Sequence, residues 1–462
     1  MSQDSAPNTP AGQSIHGLWA TRAIFILAAA GSAIGLGSIW KFPYVTGMHG
    51  GGAFVLVYLA CVLLVGVPLM MAEILMGRRG RASPVHAVQK LAHESGLGKR
   101  WVALGWLGTF AAFLILSFYT MIAGWGLHYT VLSAQGTFTG IAADASTAVF
   151  DSLKANPLAM LLWHTLFMAM TIVVVARGVQ AGLERAVRWL MPILFALLFV
   201  LLGYAFTTGQ FLRGMEFLFA ADFSRVDGEM FLVALGQVFF TLSLGMASMM
   251  AYGAYMPHGQ SIARSTVMIV ALDTLFSLIA GLAIFPIVFA WNLEPAQGPG
   301  LMFVTLPLAF GNLPWGALFG TLFFALVVVA AWVSAIALAE PFVAWAVEKG
   351  MRRAKAATLV GVAAWALGIL SVLSFNVLSG EDFRIAGRSF YEAIDFLATN
   401  ILLPLGGILI AVFVGWAMKE TKVMKELAMQ NQALYIAWRI AIRIVVPLAI
   451  VLIMADFFGA PG

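Results

Sequence analysis

Residues Phe25–Phe42 read FILAAAGSAIGLGSIWKF, an apolar run whose middle carries Gly31, Gly35 and Gly37 with Ser32 and Ser38 and no charge. Each glycine inside a helix costs about 1 kcal/mol against alanine. A membrane helix that must satisfy its own backbone would not place three of them at mid-depth. Unwound backbone survives there only where protein buries it or where it lines a wet cavity. Such a break frees carbonyls for a cation and amides for an anion, which is how many secondary transporters build a site. The stretch therefore reads as a substrate site.

Working outward, the chain has 462 residues, 61% of them hydrophobic and 10% charged, with a mean hydropathy of +0.94. A water-soluble fold cannot hide so much apolar surface, so the sequence predicts an all-α polytopic membrane protein. The single cysteine, Cys61, sits in an apolar run and excludes an internal disulfide. The net charge of +5 is small and concentrated in a few loops, which speaks for membrane topology and against nucleic-acid binding. Met1–His16 is polar and lacks the basic start, apolar core and cleavage site of a signal peptide. It is expected to be a cytoplasmic tail.

Apolar stretches long enough to cross the bilayer fall at 22–46, 53–76, 102–133, 157–177, 187–208, 229–256, 263–292, 315–348, 355–375, 389–417 and 434–458. The basic clusters lie at Arg78–Arg100, Lys349–Lys355 and Lys419–Lys425. All three follow even-numbered spans, so the positive-inside rule puts them and the N-terminus in the cytoplasm. Eleven spans then leave Phe457–Gly462 outside. Pro and Gly around 297–315 suggest an external loop dipping toward the membrane.

Span 6 carries a second break, Gln237-Val-Phe-Phe-Thr-Leu-Ser-Leu-Gly-Met246, with Thr241, Ser243 and Gly245 in an otherwise apolar segment. Spans 1 and 6 each open a group of five. Interruptions at matched positions in two halves point to an inverted-repeat transporter. Small residues serving only helix packing would explain one such span more readily than two.

At these residues the chain resembles the neurotransmitter:sodium symporter family, in particular its bacterial amino-acid transporters with the LeuT fold. The resemblance rests on Trp19-Ala-Thr-Arg22, Ala30–Tyr44, Gly50-Gly-Gly-Ala-Phe54, Gly66-Val-Pro-Leu-Met70 through Glu73, Gly236–Gly245 and Asn400-Ile-Leu-Leu-Pro-Leu-Gly406. It runs from Trp19 to span 11, and eleven spans is a variant within the bacterial branch. It implies a 5+5 inverted repeat with broken helices 1 and 6. The tail would be 1–18, the repeats 19–208 and 229–417, and the eleventh helix 434–458.

For substrate, the resemblance implies a carboxylate received by the amides near Leu36 and Gly37 and by Tyr119. An ammonium would be received by carbonyls near Ala33, Phe240, Thr241 and Ser243. A side-chain pocket would be formed by Ile115, Phe240, Met246, Ser334 and Leu338. Helix N-termini favour anions, and apolar lining favours a hydrophobic side chain. Gly35 stands where monoamine transporters carry aspartate, so the substrate should bring its own carboxylate. Met246 replaces a phenylalanine and, being flexible, would broaden the pocket.

For ions, a first sodium would use Ala33, Ser38, Thr241 and Asp273. A second would use Gly31, Ile34, Ala330 and Ser334, weakened because Val333 supplies no oxygen to a hard cation. One Na+ is therefore expected and two are doubtful. The chloride site of relatives corresponds to Tyr58, Gln237, Thr241 and Ser277. An intramembrane carboxylate is usually functional, so Asp273 is expected to replace chloride and to return a proton.

For gates, Lys41 and Asp395 match the external ion pair, with Phe240 and Tyr119 as a lid. Trp19, Tyr255 and Glu348 match internal positions, and His16 replaces the internal arginine. Glu73 and Glu340 read as buried support. The leading expectation is a sodium-coupled importer of neutral hydrophobic amino acids in the plasma (inner) membrane. A non-transporting sensor or a proton-coupled transporter on the same scaffold is the alternative. No filter or charged pore helix suggests a channel, and no nucleophile–base set suggests an enzyme. Nothing in the sequence indicates the oligomeric state.

Overall fold

In a computed structural model, residues 17–257, 259–293 and 300–459 are described. His16 and the tail before it lie outside them, as do 294–299 of the expected dipping loop and the last three residues. Every element named below is helical, and no strand forms among the described residues beyond one isolated bridge, Ile385 to Arg388.

The first span is two helices, α1 (Arg22–Ala33) and α2 (Gly37–Met48), bent by 55°. Thr21 caps α1 by accepting from the Ile24 amide at 3.2 Å. The helix stops at Ile34, whose φ/ψ of −69°/96° is extended. α3 (Gly52–Gly80) ends in a cluster of arginines and is followed by the short α4 (Pro84–Glu94). Then come α5 (Lys99–Ala134), α6 (Ala143–Ala155), α7 (Pro157–Ala176) and α8 (Val179–Thr207). α9 (Phe211–Phe219) leads to the second broken span, α10 (Gly228–Thr241) and α11 (Ser248–Ala254). After these follow α12 (Ile262–Ala290), α13 (Leu301–Gly311), α14 (Gly316–Glu348), α15 (Arg353–Leu373) and α16 (Phe390–Ala417). α17 (Glu420–Leu427) and α18 (Gln432–Ala455) complete the chain.

Among the described residues, nine helices are long and apolar enough to cross a membrane, and the bent α1–α2 pair makes a tenth. The expected sixth span appears as two pieces of 14 and 7 residues, each too short to cross alone. α1 packs between α12 and α14, and α14 runs along α5. Leu158, Leu162, Leu166 and Val173 of α7 are exposed together at near-helical spacing, the pattern of a lipid-facing stripe.

Five wide, π-type turns, at Gly37–Lys41, Val62–Gly66, Leu301–Thr305, Phe396–Leu402 and Ala441–Val445, each end two residues before a proline. A proline ring collides with the carbonyl four residues back and offers it no N–H. Widening the preceding turn relieves that collision.

Candidate functional site

The two interruptions meet. In the second, Ser243, Gly245 and Ala247 all take positive φ, 54°, 78° and 59°. Left-handed backbone costs about 1–2 kcal/mol for each non-glycine residue, so something must hold it. Glu73 of α3 does part of this: its Oε1 accepts from the Gly245 amide at 2.7 Å with the side chain fully buried. The expected supporting role of Glu73 thus has a specific form, a carboxylate fixed on unwound backbone. Ser243 Oγ then donates to the Ser32 carbonyl at 3.0 Å and ties one break to the other.

Around this junction lies a narrow cavity lined by Ser32, Ala33, Gly35, Leu36, Gly37, Ile115, Tyr119, Phe240, Ser243, Met246, Ser334 and Leu338. Eleven of these carry the sequence expectation. Thr241 is set back from the lining, and Ser32 was missed although it belongs to the same glycine–serine run. The Leu36 amide donates to Tyr119 Oη at 3.2 Å. The hydroxyl accepts there and keeps its own proton to donate. A side chain at position 35 would make its neighbours shift: a Cβ would lie 2.4 Å from Ser334 Oγ and 2.7 Å from Tyr119 Oη.

Two oxygen clusters flank the cavity. Ser334 Oγ lies 3.3, 3.1 and 3.3 Å from the carbonyls of Gly31, Ser32 and Ile34. One hydroxyl proton cannot serve three carbonyls, so the cluster has oxygen to spare for a cation. Val333 points a methyl toward Gly31, 2.6 Å from where a Cβ would stand. On the other flank, Ser38 Oγ donates to Asp273 Oδ1 at 2.8 Å. Gln237 Nε2 bridges the Gly37 carbonyl at 2.9 Å and Thr241 Oγ1 at 2.7 Å. Among the described residues, Asp273 Oδ2 and Gln237 Oε1 are buried without a hydrogen-bond partner, close to the hydroxyls of Tyr58 and Ser277. Orphaned acceptors of this kind fit a cation beside Asp273.

The expected gates are placed less uniformly. Among the described residues, no nitrogen–oxygen approach within 4.0 Å joins Lys41 to Asp395. Lys41 Nζ instead lies 4.8 Å from the centre of the Phe240 ring. Here the external pair stands open beyond ion-pair distance while Lys41 rests on the ring, because a compact ammonium on a flexible stem can settle on the ring face and lacks the fork that would fix a carboxylate. At the opposite end, the Trp19 amide donates to the Tyr255 carbonyl at 2.9 Å and Trp19 Nε1 to the Tyr252 carbonyl at 3.2 Å.

Tyr255 Oη donates to Glu340 Oε1 at 2.6 Å, and Arg353 grips the same carboxylate at 3.0 and 2.5 Å. Glu348 accepts from the Ser83 amide at 2.6 Å and also holds Ser83 Oγ and His86. Glu340 is thus tied directly to an internal gate position. Arg353 was missed because it sat in a loop cluster read only for topology. Glu184 was also missed: its Oε2 accepts from the Ala20 amide at 3.1 Å, anchoring the entry to α1.

The chain matches the family model described as the sodium:neurotransmitter symporter family over residues 16–151 and 148–459. It is 40% identical over 446 residues to the sodium-dependent transporter YhdH of Bacillus subtilis, covering 96% of this chain and 97% of that one. A sodium-dependent transporter of Haemophilus influenzae is 32% identical, with 94% and 96% covered. The crystal structure of MhsT in complex with L-phenylalanine superposes with a TM-score of 0.87 at 42% identity, covering 95% of this chain and 99% of that one.

Proposed function

We propose, from the premise that this chain belongs to the sodium:neurotransmitter symporter family, that it is a sodium-dependent transporter importing neutral, hydrophobic amino acids. One observation carries the reading. The narrow cavity joins an amide and a tyrosine hydroxyl at one broken helix end to surplus carbonyls and an apolar wall. An amino acid needs all three: donors for its carboxylate, acceptors for its ammonium, and a dry surface for its side chain. Gly35 supports the selectivity, since no carboxylate stands at that position and the substrate must supply one. The phenylalanine held by the similar MhsT structure agrees with a pocket for a large apolar side chain.

Ala33, Ser38, Thr241 and Asp273 would hold one sodium beside the substrate carboxylate, coupling the two by direct attraction. Gly31, Ile34, Ala330 and Ser334 would offer a weaker second site, where Val333 withholds an oxygen. Asp273 would supply the negative charge that chloride provides elsewhere, beside the equivalents Tyr58, Gln237 and Ser277. The arginine-rich ends of α3 and α15 would face the cytoplasm of the plasma membrane. Radiolabelled amino-acid uptake into proteoliposomes, with sodium, chloride and pH varied separately, tests the reading. Sodium-driven accumulation of neutral hydrophobic amino acids is expected. Equal competition by tyramine or tryptamine, or uptake indifferent to sodium, would overturn it.

A further inference from the structure

Where α3 ends and α12 and α18 begin, these helices enclose with α4 and α17 a cleft of about 820 Å³, away from the transport cavity. Six cationic side chains line it against two carboxylates, Glu94 and Glu426. Those carboxylates are already engaged. Glu94 Oε2 accepts from Arg79 at 2.8 and 3.1 Å and lies 3.4 Å from Lys422, while Glu426 Oε1 is 2.5 Å from Arg78 Nε. Burial pushes the Glu94 carboxyl up, but Arg79 and Lys422 outweigh it and hold it below its ordinary value.

Lys90, Arg264 and Lys425 stand exposed on the cleft with no carboxylate within 4.0 Å among the described residues. The caps of α12 and α18, Ser261 and Asn431, also line it, so two helix dipoles present their positive ends. The unmet charge calls for an oxyanion.

The surroundings say which kind. Leu434 lines the cleft and is 58% exposed, and Ile436, Ile440, Ile444 and Leu448 follow at four-residue spacing on the exposed side of α18. A polar, positive cleft at the ends of three spans thus opens onto an apolar track leading into the bilayer. We propose that the cleft binds the phosphodiester headgroup of an anionic phospholipid, with its acyl chains along the Ile436–Leu448 face of α18. Basic pockets between spans suit such headgroups, and each exposed cation strengthens the attraction.

The test is native mass spectrometry of the purified transporter with phosphatidylglycerol or phosphatidylcholine, comparing the parent with the triple variant Lys90→Gln, Arg264→Gln, Lys425→Gln. The parent should retain phosphatidylglycerol preferentially, and the variant should lose that retention by about tenfold or more, with phosphatidylcholine adducts unchanged. Binding of the transported amino acid by the variant shows that it is folded; should it fail to fold, Lys425→Gln alone serves, with a smaller loss expected. Equal retention by parent and folded variant, or no preference between the lipids, overturns the proposal. Displacement of the lipid by inorganic phosphate at equal phosphorus concentration also overturns it, in favour of a site for free phosphate.

Discussion

Met246 contributes a flexible thioether to the cavity wall beside Phe240 and Leu338, and a rigid ring there would narrow the space. Met246→Phe should weaken uptake of aromatic amino acids about tenfold relative to alanine or valine, measured by competition; unchanged ratios would remove Met246 from the pocket. Val333 places a methyl beside the oxygens gathered by Ser334. Substrate affinity should therefore rise with sodium at a Hill coefficient near one. Val333→Thr returns a hydroxyl and should steepen that dependence toward two. A parent coefficient well above one would mean that the second ion binds without the missing oxygen. Asp273, one oxygen on Ser38 and the other without a partner, brings a fixed acid beside the hydroxyls of Tyr58 and Ser277. Uptake should persist in gluconate, and Asp273→Asn should abolish it or make it chloride-sensitive. An Asn variant behaving as the parent in both media would exclude that role.

Among the elements, the α10–α11 break depends on backbone that only some residues tolerate. At Gly245, φ is 78° and a Cβ would stand 2.4 Å from the Leu403 carbonyl of α16. Gly245→Ala should therefore lower the thermal midpoint in detergent and abolish uptake, since both strain and collision act on the same turn. A variant with parental stability and uptake would show that the turn can relax elsewhere. The positions of both breaks were legible from glycine and hydroxyl content. The role of Glu73 as the acceptor for the Gly245 amide was not, because the two residues lie 172 positions apart and nothing local links them.

Across the whole molecule, Tyr255 after α11, Glu340 in α14 and Arg353 in α15 are held together by one buried carboxylate. Removing one member of such a pair leaves an uncompensated charge, an effect of about 3–5 kcal/mol. Arg353→Gln and Glu340→Gln should each depress the thermal midpoint, and the double variant should recover part of the loss. Additive losses would show that the pair does not act as a unit. Because the cluster ties three elements at one end, the single variants should also shift the balance between inward- and outward-open states, read by cysteine accessibility.

Hydropathy and glycine placement alone determined that the chain is a helical membrane protein with two interrupted spans, since both follow from local transfer and backbone terms read along a single segment. The motifs around Gly35 and Ser243 also named most of the cavity lining. What only the tertiary structure decided is which polar groups satisfy one another: Lys41 rests on Phe240, Glu340 binds Tyr255 and Arg353, and Ser32 shares its carbonyl between Ser243 and Ser334. A buried polar atom takes whichever partner the packing brings within about 3 Å. That choice is made between helices far apart in sequence, and no local pattern encodes it.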